Sequence, residues 1–267
     1  MDDAADAALR DWTVDLARRA GETLLGYFCR EDLASRLKAD YSLVTEADLA
    51  ADALIAGAIL AEHPADAILS EEDNTRHEAE NEYVWIIDPI DGTTNFSHGL
   101  QYWGVSIARI RAGHPSLAVL FFPALDEMYV ATRAGGAFCN GKRIVVEPPP
   151  APGRWRVMAC CSRTMRFYDV NVPMKMRVFG CATYSMVSVA RGSAAVAVET
   201  RPKIWDLAAA SLMVEEAGGV VAYSPGPVPF PLQTGVAYDV QSYPLIAAAT
   251  ADLAEMAREG IQERNSR

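Results

Sequence analysis

The chain has 267 residues, of which 51% are apolar and 22% are charged, and its formal net charge is −11. This apolar content is sufficient for a sizeable core, whereas the negative charge would repel phosphate backbones and argues against nucleic-acid binding. No apolar run reaches the ~18 residues of a membrane span, and the acidic start MDDAADAALRDW is unlike a secretory signal.

The first half of the chain predicts two helices and then a series of strands. Apolar residues recur at helical spacing from Leu9 to Phe28, so we expect an amphipathic helix over 4–29. Thr45-Glu46-Ala47-Asp48 matches a capping box and opens a second helix, which Pro64 ends near His63. A polar loop is expected over 73–82, and strands are expected at 67–69, 84–87, 104–110, 117–122 and 127–132.

The second half alternates strand and helix. A hairpin turn is expected at Asn140-Gly141. The proline-rich segment 148–153 is interpreted as a stiff connector between two halves, 1–147 and 154–267. The elements predicted after it are strands at 156–161, 194–199, 220–223 and 245–249, and helices at 183–190, 205–217 and from about Asp252. This alternation indicates an α/β or α+β fold.

The cysteines and histidines do not indicate a disulfide framework or a zinc site. The five cysteines are odd in number and lack C-x-x-C spacing, and the four histidines are scattered. We interpret the cysteines as reduced, mostly buried thiols of a cytoplasmic protein: Cys29, Cys139, Cys160, Cys161 and Cys181. Because the chain is acidic, it would need bound metal ions to supply positive charge if it binds phosphate.

Three acidic elements stand where strands or helices begin or end. They are Glu71-Glu72 after a strand, Asp88 and Asp91 at the end of another strand, and Asp206 in the first turn of a helix. Carboxylates that meet at one point repel one another unless cations neutralise them, and Mg²⁺ prefers such oxygen ligands. For Glu72 or Asp73 considered singly, the role of a solvated surface acid is favoured. It does not suit Asp88 and Asp91, because an apolar strand leads directly into them.

The segment Gly92-Thr93-Thr94-Asn95 follows these carboxylates. Backbone N–H groups in a tight turn or at a helix start bind phosphate oxygens well. Amides of this kind beside a cluster of carboxylates and metal provide a place for a phosphate and for an activated water. The spacing therefore indicates phosphate chemistry that depends on a metal.

The same segments resemble the inositol monophosphatase family. Residues 88–96, Asp-Pro-Ile-Asp-Gly-Thr-Thr-Asn-Phe, resemble its D-P-I-D-G-T-x-N-F signature, and residues 205–209, Trp-Asp-Leu-Ala-Ala, resemble its W-D-x-A-A signature. Residues 71–72 and 44–48 fall where the family has its G-E-E and V-T-x-A-D segments. The resemblance covers about residues 9–250. It implies a layered αβαβα sandwich, usually a homodimer, and Mg²⁺-dependent, lithium-sensitive hydrolysis of a small sugar or polyol phosphate such as inositol-1-phosphate.

The resemblance also implies metal-binding and catalytic roles. Two or three Mg²⁺ ions are expected. Glu71, Asp88 and the carbonyl of Ile90 would hold one ion, and Asp88, Asp91 and Asp206 would hold a second. The catalytic residues implied are Thr93, Asp48 and Glu71, with Thr93 and Asp48 orienting the attacking water.

On the substrate side, the resemblance implies two kinds of contact. Backbone N–H groups would hold the phosphate, and Glu199 would bond ring hydroxyls, although Glu199 could instead be a surface acid at a strand end. The substrate-binding residues implied are Asp91, Gly92, Thr93, Gly180, Cys181, Ala182, Glu199 and Asp206.

Three residues depart from the family pattern, and the last two of them, Cys181 and Lys203, weaken a strict specificity for myo-inositol phosphate. Ser70 replaces the glycine that usually precedes the first metal-binding glutamate, Cys181 stands where Ser or Thr is common, and Lys203 adds positive charge near the substrate mouth. Histidinol-phosphate phosphatase, fructose-1,6-bisphosphatase and 3′(2′),5′-bisphosphate nucleotidase remain alternatives, although Thr94-Asn95 favours the inositol-phosphate branch or a broad sugar phosphatase. A regulatory or binding protein with weak catalysis is an alternative of another class.

Overall fold

The computed structural model describes residues 3–30, 32–37, 43–78, 81–146, 156–224 and 226–264. The predicted connector at 148–153 lies outside these ranges. Within them, no helix is long and apolar enough to cross a membrane. The helices are α1 (Asp3–Tyr27), α2 (Glu46–Glu62), α3 (Thr93–Ser97), α4 (Ser162–Phe167), α5 (Ala182–Ala190), α6 (Ile204–Glu216) and α7 (Ala251–Gly260), with a short 3₁₀ turn at Pro123–Leu125.

In the described ranges, the strands form two large sheets and three small two-stranded pairs. Their bounds are β1 (Ser35–Leu37), β2 (Leu43–Thr45), β3 (Ala67–Ser70), β4 (Arg76–His77), β5 (Tyr83–Asp91), β6 (Gly104–Arg111), β7 (His114–Phe122), β8 (Glu127–Thr132), β9 (Gly136–Cys139), β10 (Lys142–Ile144), β11 (Val157–Cys160), β12 (Tyr168–Val170), β13 (Lys175–Arg177), β14 (Val196–Glu199), β15 (Val220–Tyr223), β16 (Val236–Ala237), β17 (Leu245–Ala248) and β18 (Ile261–Glu263). The predicted loop over 73–82 contains β4, which pairs with β16.

The two large sheets differ in strand direction. The seven-stranded sheet has the order β10-β9-β8-β7-β6-β5-β3 and is antiparallel except for the parallel pair β3–β5. The five-stranded sheet has the order β13-β11-β14-β17-β15, in which β11 runs parallel to both neighbours. Only a parallel pair places two carboxyl ends at the same edge, so this arrangement decides which loops meet.

The elements stack in five layers. Helices α1 and α2 cover one face of the seven-stranded sheet, and α6 packs between that sheet and the five-stranded one. Helix α5 lies with α6 in the middle layer, and α7 packs on the five-stranded sheet. This is the αβαβα sandwich that the resemblance implies, and the prediction is confirmed. Apolar clusters fill the spaces between the layers, with the largest centred on α5 and α6.

Two local predictions are confirmed by their backbone geometry. Asn140 and Gly141 link β9 to β10 with φ values of 48° and 73°, the positive-φ pair that a tight hairpin turn requires. The end of the helix predicted at 205–217 is also confirmed, because α6 ends with Ala217 as its C-cap and Gly218 follows with φ at 88°.

Strand β5 continues where the sequence predicted a stop. It runs through Asp88 to Asp91 and shifts register between them, because Asp88 pairs with Ser106 and Asp91 pairs with Gly104. The chain thus advances by three residues along β5, from Asp88 to Asp91, where it advances by two along β6, from Ser106 to Gly104. Pro89, which has no N–H to contribute to the ladder, lies within this irregularity. The prediction that this strand ends at residue 87 is wrong, since a bulge absorbs the proline.

The cysteines are all free thiols, as expected. Cys160 and Cys181 are buried, but Cys29 is exposed just after α1. The expectation of mostly buried thiols is therefore wrong for Cys29, because the helical stripe that buries α1 ends before it.

Candidate active site

Three carboxylates converge at the end of β5. Asp88 and Asp91 lie on β5, and Asp206 lies in the first turn of α6. One carboxylate oxygen from each lies within 4.8 Å of the other two. The cluster thus joins two segments that are far apart in the sequence, as the resemblance implies.

Asp88 is the most deeply buried member of this cluster. Its exposure is 1%, and neither of its side-chain oxygens has a hydrogen-bond donor among the described residues. Burial raises the pKa of Asp88 well above its usual range, and the negative charges of Glu71, Asp91 and Asp206 raise it further. A buried carboxylate without a donor is costly unless a cation pairs with it. An oxygen-only cluster of this kind fits a hard divalent cation such as Mg²⁺.

Asp91 is held by the start of α5. It accepts hydrogen bonds from the backbone N–H groups of Thr183 at 2.6 Å and Ala182 at 3.2 Å, and from Cys181 Sγ at 3.0 Å. These contacts fix the orientation of the carboxylate. Burial and the negative charge of Asp91 also raise the pKa of the Cys181 thiol well above its usual value, so nothing here activates that thiol.

Asp206 is anchored within its own helix. Its Oδ2 accepts a hydrogen bond from the N–H of Lys203 at 2.7 Å. Asp206 remains partly exposed on the cavity side. Even so, removal of its carboxyl from solvent raises its pKa well above the usual range, and the charges of Asp91 and Glu71 add to the effect.

Ser70 positions the turn that carries Glu71. The Ser70 hydroxyl is fully buried, donates a hydrogen bond to the Asp52 carboxylate and accepts one from the N–H of Glu72 at 3.4 Å. The N–H of Glu71 donates to the carbonyl of Ile87 at 3.3 Å, which ties the turn to β5. The departure from glycine at this position thus introduces a buried anchor, and Glu71 lies close enough to raise the pKa of Asp88.

Thr93 contacts Asp48 from α2, as the resemblance implies. Thr93 Oγ1 lies 3.3 Å from Asp48 Oδ1 and 3.0 Å from the carbonyl oxygen of Ile90, so its single proton can be donated to either. The other oxygen of Asp48 accepts hydrogen bonds from the N–H of Thr45 at 2.7 Å and from its hydroxyl at 2.6 Å. The capping box predicted at the start of α2 is confirmed, and it also orients Asp48 towards Thr93.

Gly92 turns the chain from β5 into α3. Its φ is 91°, and an added Cβ would lie 2.8 Å from the carbonyl oxygen of Tyr102. Both facts require glycine there. The turn leaves the N–H of Thr93 at the start of a helix, where no intrahelical partner exists.

A cavity of about 220 Å³ opens beside the cluster. It brings together six of the predicted site residues: Asp91, Gly180, Cys181, Ala182, Glu199 and Asp206. Gly92 and Thr93 are not part of its lining and adjoin it through Asp91. The roles proposed for these residues stay predictions, while their proximity is a property of the fold.

Glu199 ends β14 inside this cavity and is only 5% exposed. This burial contradicts the surface-acid alternative. Burial raises the pKa of Glu199 well above its usual range, and the nearby Cys161 adds to the effect. The fold thus places a buried carboxyl in the wall of the cavity.

Several residues of the cavity wall lie outside the segments that the sequence singled out. Cys161, Ser162 and Arg163 follow β11, and Arg201 follows β14. Their shared position after two strands was the signal that could have identified them. The ammonium of Lys203 instead donates to the carbonyl of Asp239, so the positive charge expected from Lys203 near the substrate comes from the two arginines.

The fold and the site together define a class of enzymes. Convergent carboxylates at strand ends, beside free helix-start amides and a small cavity, are typical of α/β enzymes that act on phosphate esters with divalent cations. The model for the inositol monophosphatase family matches residues 6–264, and the chain belongs to that family. It is accordingly a phosphoric monoester hydrolase.

Individual relatives show how the similarity is distributed. The chain is 39% identical over 214 residues to a histidinol-phosphatase of Chlorobaculum parvum, with 77% of this chain and 82% of the relative covered. It is 33% identical over 234 residues to an inositol-1-monophosphatase of Mesorhizobium japonicum, with coverage of 82% and 86%. The solved structure of the Thermotoga maritima IMPase matches with a TM-score of 0.76 at 29% identity, covering 93% of this chain and 96% of that one.

Proposed function

We propose that this protein hydrolyses a small sugar or polyol phosphate monoester, such as inositol-1-phosphate, in a reaction that requires Mg²⁺. The observation that carries the proposal is Asp88, which is buried without a donor and lies against Asp91 and Asp206. Such a cluster lacks a counter-charge and can accept a phosphate only after cations neutralise it.

The residues that would hold Mg²⁺ are Glu71, Asp88 and the carbonyl of Ile90 at one position, and Asp88, Asp91 and Asp206 at a second. Bound Mg²⁺ would neutralise the negative charge of the phosphate and lower the pKa of a water molecule. The helix-start amides of Gly92 and Thr93 would hold phosphate oxygens.

Thr93 and Asp48 would position the attacking water. Because the Thr93 hydroxyl proton is directed at Asp48 Oδ1 or at the Ile90 carbonyl, the lone pairs of Oγ1 remain available to accept a hydrogen bond from water. Asp48, fixed by Thr45, is the acceptor to which a proton can pass through Thr93 Oγ1.

The organic part of the substrate would occupy the cavity. Gly180 and Ala182 leave room there because their side chains are small, and Glu199 offers a buried carboxyl to ring hydroxyls. Histidinol phosphate is a second candidate, favoured by the 39% identity to the Chlorobaculum parvum histidinol-phosphatase.

The division into halves 1–147 and 154–267, the cytoplasmic location and the homodimer stay predictions. Size-exclusion chromatography with light scattering would test the homodimer.

The test of the function is phosphate release from inositol-1-phosphate, histidinol phosphate and p-nitrophenyl phosphate, with Mg²⁺ and with excess chelator. We expect turnover of polyol phosphates with Mg²⁺, none with chelator, and inhibition by Li⁺. Asp206→Asn should lose most of kcat, while Asp252→Asn, an exposed carboxylate in the first turn of α7, serves as the matched control. Full turnover in chelator would overturn the metal requirement, and exclusive turnover of histidinol phosphate would select the second candidate.

A further inference from the structure

Two arginines share the active-site cavity with the acidic cluster. Arg163 lies in the first turn of α4 and Arg201 lies in the loop between β14 and α6, and both line the 220 Å³ cavity that also contains Asp91 and Asp206. We propose that Arg163 and Arg201 bind a second anionic group of the substrate, a phosphate or a carboxylate, while the first phosphate occupies the acidic end. This inference rests on the proposed function, since it specifies the substrate class of the same site.

The topology of the five-stranded sheet explains why these arginines meet. Strands β11 and β14 are parallel, with Ala159 opposite Ala197, and Cys161 continues the contact by donating its N–H to the carbonyl of Val198 at 3.2 Å. Arg163 and Arg201 follow the carboxyl ends of these two strands, the edge at which parallel sheets bind ligands. The strand register, and not the metal-binding motifs, therefore brings Arg163 and Arg201 to the same cavity.

The arginines are also free to bind an anion. Within the described part of the chain, neither Arg163 nor Arg201 forms an ion pair, although the protein has a net charge of −11. By contrast, Arg133 pairs with Glu215, and Arg191 pairs with Glu127. Both cavity arginines are exposed, so their guanidinium groups are accessible.

A second anionic group binds to these arginines more strongly than a neutral polyol hydroxyl does. Guanidinium groups bind carboxylates and phosphates through paired, charge-assisted hydrogen bonds, which are roughly twice as strong as neutral ones. A polyol hydroxyl gains little there, and a substrate ammonium group would be repelled. The arginines therefore favour a bisphosphate or a phosphorylated acid over histidinol phosphate.

The kinetic test compares substrates that differ only in the second group. One pair is fructose-1,6-bisphosphate and fructose-1-phosphate, and the other is 3-phosphoglycerate and glycerol-3-phosphate. We expect kcat/KM to be at least about tenfold higher for the doubly anionic member of one pair, as charge-assisted bonds predict. The pair that shows the preference identifies phosphate or carboxylate as the second group.

Variants then assign the preference to the arginines. Arg163→Gln and Arg201→Gln should each reduce this preference by about fivefold, through a larger loss of kcat/KM for the doubly anionic substrate than for its partner, and should make the preference less sensitive to added salt. Arg166→Gln is the matched control, because Arg166 is exposed on the same helix and lies outside the cavity. An undiminished preference in both variants, or equal kcat/KM within both pairs in the wild type, would overturn the proposal while leaving the hydrolase function intact.

Calorimetry provides a readout that does not need turnover. With Ca²⁺ in place of Mg²⁺, the wild type should bind fructose-1,6-bisphosphate or 3-phosphoglycerate more tightly than the partner that lacks the second anionic group, and Arg163→Gln should reduce this difference in affinity by about fivefold. If no substrate of the panel is hydrolysed, the proposed function fails. In that case the calorimetric difference alone supports the anion subsite, and its absence overturns it.

Discussion

Replacing Asp88 with asparagine should separate the stability of this protein from its activity. The substitution keeps the size of a side chain that is 1% exposed, but it removes one negative charge from a cluster whose oxygens lie within 4.8 Å of one another. At that distance and an effective dielectric constant of about 20, each ionised pair repels by about 3.5 kcal/mol. Asp88 takes part in two such pairs, with Asp91 and with Asp206.

The full repulsion is not realised in the metal-free protein, because the raised pKa of Asp88 allows a proton to relieve part of it. We therefore expect Asp88→Asn to stabilise the metal-free protein by about 2 kcal/mol, a fraction of the Coulomb total. For a chain of this size, that gain corresponds to a rise in Tm of about 4–8 °C. The same substitution should lower kcat by a factor of about 10³ or more, because the charge that binds the cations is lost.

The assay is thermal unfolding in excess chelator and in saturating Mg²⁺, together with phosphate release. Wild type should gain stability from Mg²⁺ by mass action, and Asp88→Asn should gain little. Asp252→Asn removes an exposed charge from the first turn of α7, so it should cost at most about 0.3–1 kcal/mol of stability and should leave the Mg²⁺ response and phosphate release unchanged. A lower Tm for metal-free Asp88→Asn, combined with an intact Mg²⁺ response, would refute the reasoning.

Three further predictions follow from buried charges. Raised carboxyl pKa values, as at Asp88, mean that the native state binds more protons than the unfolded chain. The free energy of unfolding of the metal-free protein should therefore fall as pH rises above about 4. Mg²⁺ should accordingly raise Tm more at pH 8 than at pH 5, and an equal rise at both pH values would contradict this. Glu199→Gln should cost about 1–2 kcal/mol in kcat/KM for inositol-1-phosphate, because an amide N–H₂ replaces one carboxyl oxygen that can accept a hydrogen bond from a ring hydroxyl. The variant should lose almost nothing for p-nitrophenyl phosphate, which lacks the hydroxyls, and equal losses on both substrates would show a structural role instead. Asp66→Ala should destabilise the protein by about 3–5 kcal/mol in denaturant titrations, because Arg109, only 14% exposed and bonded to Asp66 at 2.9 Å, would keep a buried, unpaired charge. Its control is Asp169→Ala, which breaks an exposed pair with Arg264 and should cost about 0–1 kcal/mol; similar losses for the two would contradict the burial argument.

Signals that act over a few residues were predictable from the sequence. The capping box at Thr45 and Asp48 and the turn at Asn140-Gly141 depend on hydrogen bonds and backbone angles within four residues, and the structure confirms both. Family membership was also predictable, because the carboxylate signature at residues 88–96 is contiguous.

What depends on distant segments was decided by the tertiary structure alone. The path of β5 through Asp88 to Asp91 depends on its partner β6, because a bulge needs a second strand to absorb it. The burial of Glu199 depends on elements packed around the end of β14, since side-chain exposure is not a local property. Arg163 and Arg201 belong to no local motif, and only the parallel register of β11 and β14 brings them to one cavity. Local chemistry thus identified the acidic cluster and the glycine turn beside it, whereas strand pairing determined which charged side chains line the rest of the cavity.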